Sequence, residues 1–143
     1  RTSALSRRGL LALAALAPGA ARAQAPEVLE LAGQPVLALA AHPAVGPRLR
    51  AMAQGRQRLL AEAVRGEGPG LAVTGDWLHG RARAGEARVL LAFDTRTETV
   101  AIILYDGAAP ALFVPPRFAP WPAALREAVE GFSPQVAAAL RFQ

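Results

Sequence analysis

This 143-residue chain contains no cysteine. Thiol catalysis, thiolate metal sites and disulfides are therefore excluded, and stability must come from packing alone. Lysine is also absent, and all 16 basic residues are Arg. The two histidines, His42 and His79, have no partner histidine at the short spacings that metal sites use. They read as a loop residue before Pro43 and a strand residue. Past residue 23 only one serine remains, Ser133, and its place before Pro134 marks a helix cap. That argues against a Ser-His-Asp nucleophile. The glycine-rich run Gly66-Glu67-Gly68-Pro69-Gly70 contains proline and lacks a following Lys-Ser or Lys-Thr, so it is no phosphate loop. The apolar stretch over residues 10–17 (LLALAALA) is too short to span a bilayer.

That stretch has another meaning. Arg7 and Arg8 precede it, and the small residues of Gly19-Ala20-Ala21-Arg22-Ala23 follow in an A-x-A pattern. Charged, apolar and small segments in this order predict a cleaved export leader over residues 1–23, of twin-arginine type. A single domain over residues 24–143 and a periplasmic location are the corresponding expectations. Arg1, Arg7, Arg8 and Arg22 leave with the leader, so the rest nearly balances its 11 acidic residues. The formal charge of +5 is mostly a targeting signal, and no nucleic-acid partner is read from it. No membrane span is expected in the mature part.

Residues 75–107 carry the strongest structural signal. Residues 88–94 (RVLLAFD) and 99–105 (TVAIILY) are rich in Val, Ile, Leu and aromatics, and read as strands. Residues 95–98 are a short polar hairpin loop, residues 84–87 a second turn around Gly85, and Asp106-Gly107 a third. Residues 71–73 and 77–83 supply earlier strands. Residues 111–114 read as an edge strand stopped by Pro115-Pro116. Residues 48–65 read as one helix, with Leu49, Met52, Ala53, Leu60, Ala63 and Val64 on its buried stripe. Residues 122–130, with Gly131 as terminator, and residues 134–140 read as two more, burying Leu125, Val129, Val136 and Leu140. Residues 35–41 fit helix or strand. The fold class is α+β: an antiparallel meander of four to five strands flanked by helices.

No residues single out a catalytic site, a cofactor or a metal. Asp76, Asp94 and Asp106 flank turns, where carboxylates bond the local backbone. On the strand at 77–83, Trp77, His79, Arg81 and Arg83 alternate onto one face and run toward the turn at Gly85 and Glu86. This row is the candidate binding surface, since Trp and Arg dominate protein interfaces. The bland alternative is a solvated face with Arg stems lying on Trp.

The succession AHPAV (41–45), GDWLHG (75–80), RVLLAFD, TVAIILYDG and LFVPP (112–116) resembles the inhibitor of vertebrate lysozyme (Ivy) family over residues 35–116. The resemblance implies an exported antiparallel-sheet domain that binds lysozyme through a loop pushed into the active-site cleft. In the family a Cys-Lys-Pro-His-Asp-Cys loop does this. Here LHGRARAGEA (78–87) stands in its place, so the inhibitory histidine is not carried onto His79. The shorter turn would offer Arg81, Arg83 or Glu86 to a groove that works with two carboxylates. The expected function is a periplasmic binding protein, not an enzyme, whose partner is a lysozyme or another envelope protein. A homodimer is a further arrangement. The alternative is an envelope-modifying hydrolase using carboxylates that the sequence does not identify.

Overall fold

Hairpin after hairpin follows from the apolar runs and their turns. A computed structural model describes residues 27–143. The leader expected over residues 1–23 lies outside them. β1 (Ala72–Thr74), β2 (Trp77–Ala84), β3 (Ala87–Asp94), β4 (Thr99–Asp106) and β5 (Ala109–Val114) pair in sequence order as one antiparallel sheet. Two-residue turns join β1 to β2, β2 to β3 and β4 to β5. The β3–β4 link is a polar loop that Asp94 organises. Its Oδ1 accepts the Arg96 and Thr97 amides at 2.9 and 3.3 Å. This is the local backbone bonding expected of a turn carboxylate.

Helices cover both faces of the sheet, which explains why the middles of β3 and β4 are continuously apolar instead of alternating. Val89, Leu91 and Phe93, with Val100, Ile102 and Leu104, face α1 (Val36–Ala41), α2 (Gly46–Met52) and α3 (Gln57–Val64). Leu90, Ala92, Ala101 and Ile103 face α4 (Arg126–Phe132) and α5 (Pro134–Ala139). The predicted stripe from Leu49 to Val64 lies in the first core, and Leu125, Val129, Val136 and Leu140 lie in the second. Ser133 caps α5 as expected, its hydroxyl accepting the Val136 amide at 3.3 Å.

Three elements differ from the sequence reading. The helix expected over residues 48–65 is two helices, because Gly55 takes φ +76° and turns the chain between α2 and α3. Two short helices stand where one straight helix was expected. The helix at 122–130 opens with a 3-10 turn (Ala123–Leu125), and α4 then runs through Gly131 to Phe132. Gly131 does not end that helix. It makes room for the Arg81 guanidinium, which a Cβ at this position would meet at 2.5 Å. Finally, β6 (Pro120–Trp121) and β7 (Arg141–Phe142) form a small parallel pair that ties down the C-terminal segment.

The glycine-rich run has a structural explanation. Beyond β1, it continues along the same edge of β2. The Glu67 amide donates to the Arg83 carbonyl at 2.9 Å, and the Arg83 amide donates back at 2.8 Å. Gly66 and Gly68 lie so close to β2 that a Cβ on either would overlap the carbonyl of Arg83 or Arg81.

Candidate functional site

The β2–β3 hairpin ends in Gly85-Glu86, closed by the Ala84–Ala87 pair. Gly85 has φ +60°, as a tight hairpin turn with glycine first requires. Both turn residues are exposed, as is Arg83 just before them. The turn is braced from two sides. Arg83 Nε donates to the Gly85 carbonyl at 3.2 Å. The Gly107 amide, in the β4–β5 turn at the same end of the sheet, donates to the Glu86 carbonyl at 2.7 Å. Such a tip needs little ordering when it meets a partner, so little affinity is lost to ordering it.

The structure divides the predicted row. Arg83 is exposed, Arg81 is half-buried beside Gly131, and His79 is half-buried with Nε2 at 2.9 Å from Thr74 Oγ1. Trp77, at the far end of β2, is buried in the second core. The tip therefore has a set of side chains that a partner can touch, and Trp77 supports the sheet beneath it. Sequence reasoning passed over Arg88. It pairs with Arg83 across the hairpin and shares a cleft with Arg81 and Arg83. The signal was present, because a turn centred on Gly85-Glu86 sets residue 83 opposite residue 88. Arg88 stacks over the rings of Tyr105 and Phe132, with its carbon Cζ 5.3 and 4.9 Å from their centroids.

With the hairpin in place, the comparison with known families is decisive. Residues 44–135 match the family model for the inhibitor of vertebrate lysozyme (Ivy). The chain belongs to the Ivy family. No curated protein and no solved structure matches it. The Ivy match takes in the whole sheet, α3 and α4, and so includes the β2–β3 tip. It also reaches further toward the C-terminus than the likeness read over residues 35–116. Ivy is an inhibitor family, so its role is protein binding directed at lysozyme. Among the described residues no cluster of His, Asp or Glu could hold a metal ion. Among the same residues no helix is long and apolar enough to cross a membrane.

Charge in this Ivy domain is used locally at the other turns. Arg96 Nε lies 3.3 Å from Asp76 Oδ2. Burial alone would raise the Asp94 pKa. The Arg96 and Thr97 hydrogen bonds and the Arg96 charge outweigh it and hold the carboxyl below its ordinary value. Burial lowers the pKa of His79 below the ordinary 6.5. Both shifts have the same sign for stability. In each case the unfolded chain takes up its proton at a higher pH than the folded one. Stability is full above the unfolded pKa and falls as acid moves through the window down to the folded value. His79 acts first, just below pH 6.5, and Asp94 follows below the ordinary carboxylate value of 3.8. Urea midpoints measured from pH 7.5 to 4.5 should decline with acid. In His79→Gln that decline should flatten; an unchanged slope would show that His79 has no part in it.

Proposed function

We propose that this chain is an exported, non-catalytic inhibitor-type protein that presents its β2–β3 tip to a muramidase of the lysozyme class. One observation carries the reading: the Ivy match spans a hairpin whose exposed end is braced by hydrogen bonds without any cystine. The contacting residues are Arg83, Gly85 and Glu86, with Arg81 and His79 behind them on the same strand face. Trp77 serves by fixing that strand. The leader at residues 1–23, the mature domain at 24–143 and a periplasmic location belong to the same proposal. They rest on the order of charged, apolar and small segments at the start of the sequence.

Two of the aspartates open to the enzyme alternative are already engaged. Asp94 is committed to its loop amides and Asp76 pairs with Arg96. The test is titration of the purified chain into assays of several muramidases. Inhibition at micromolar protein is expected for at least one. Arg83→Glu or Glu86→Arg at the tip should weaken it tenfold or more, with the circular dichroism spectrum unchanged. No inhibition across the panel would remove the reading, and turnover of wall material by the chain alone would revive the hydrolase.

A further inference from the structure

Arg83 and Arg88 stand directly opposite one another across the hairpin, and Arg81 lies two residues back on the same face. Like charges paired in this way destabilise a sheet. Among the described residues no carboxylate lies within ion-pair distance of them. The ion pairs of Arg48 with Glu98 and of Arg96 with Asp76 involve none of the three. The three arginines instead line a cleft of about 170 Å³, together with Glu67, Gly68 and Phe132. Glu67 commits its backbone to Arg83, and its carboxylate stays beyond ion-pair distance of all three. The lining thus keeps an excess of positive charge.

Each guanidinium is positioned, yet retains free donors. Arg88 is stacked on Tyr105 and Phe132, and Nη1 reaches the Phe132 carbonyl at 3.5 Å. Arg83 uses Nε on the turn, leaving its terminal nitrogens for another acceptor. Arg81 rests in the space that Gly131 leaves. A guanidinium carries five N–H donors in a planar fork that matches a carboxylate. Three such forks around a small cleft fit a single anionic group better than an extended ligand.

We propose that the Arg81-Arg83-Arg88 cleft binds one carboxylate side chain of the protein partner, beside the point where the tip makes contact. For the partner's being a muramidase, this rests on the reading above. The cleft then selects partners that carry an Asp or Glu next to the groove entered by the tip. The like-charge pair costs the free chain some stability, and the partner's carboxylate relieves that repulsion on binding.

The test uses the full chain and a capped peptide, acetyl-Gly-Glu-Gly-Glu-Gly-amide, followed through the Arg Nε–Hε nuclear magnetic resonance signals. The signals of Arg81, Arg83 and Arg88 should move in a saturable way at millimolar peptide, while the Gln counterpart moves none of them. Arg81→Gln and Arg88→Gln should each weaken binding roughly tenfold, as loss of a charge-assisted hydrogen bond implies. Arg58→Gln, on exposed α3, should leave it unchanged. Equal movement at Arg58 and Arg117, an equal response to the Gln peptide, or tight binding of inorganic phosphate with none of the peptide would each overturn the proposal. A muramidase arm separates the two readings. If an inhibited muramidase binds Arg81→Gln as tightly as the parent chain, the cleft proposal falls and the inhibitor reading survives. If the peptide seats in the cleft but no muramidase is bound, the cleft stands and the inhibitor reading falls.

Discussion

Gly68→Ala should unfold a large part of the population at moderate urea. A methyl at this position would overlap the Arg81 carbonyl, which belongs to strand β2 and cannot rotate away. Relief requires pulling the 66–70 run off the β2 edge, and with it the paired bonds between Glu67 and Arg83. Overpacking costs about 1–3 kcal/mol, and a backbone obstacle belongs at or above the upper end, so a loss of about 3 kcal/mol is expected. Small domains hold only about 5–15 kcal/mol in total. Glu67→Ala keeps the backbone bonds and should change stability by less than about 0.5 kcal/mol. The comparison of the two urea midpoints is the measurement. Equal midpoints would mean that the run is not packed on β2.

Trp121→Ala should be as damaging, for a different reason. Trp121 is 1% exposed at the centre of the second core, and its ring meets Phe113 edge-on with centroids 6.5 Å apart. Removing a buried indole costs about 3–5 kcal/mol in lost burial and cavity. Trp121→Phe should cost far less, within about 1 kcal/mol. The indole N–H is buried with no hydrogen-bond partner among the described residues. Phenylalanine gives up some volume but also removes that desolvated donor, and the second effect offsets much of the first. Thermal melts of the two variants would decide; equally large losses would show that the N–H is satisfied in solution.

Both positions show where sequence reasoning stops. The meander was legible because its strands are apolar runs and its turns are glycine-led, so each signal is local. The helical stripes were legible for the same reason. The break at Gly55 was not, because a single glycine inside a helical pattern is tolerated in some helices and breaks others, and only the tertiary packing decides. Gly131 looked like a terminator by position, whereas its small size serves Arg81 on another element. The β6–β7 pair joins segments about twenty residues apart in sequence through two residues each, too short for any period to register. At the site, alternation correctly put Trp77, His79, Arg81 and Arg83 on one face. It could not say that Trp77 would be buried in the second core while Arg83 stayed in solvent.

The central claim is that the braced Gly85-Glu86 tip is what meets the partner. Amide hydrogen exchange of the chain, alone and with a muramidase that it inhibits, tests this most directly. The account predicts new protection confined to the β2–β3 tip from Arg83 to Arg88, with β5 and the outer faces of α1 and α3 unchanged. Protection over those helices with the tip still exchanging freely would contradict it.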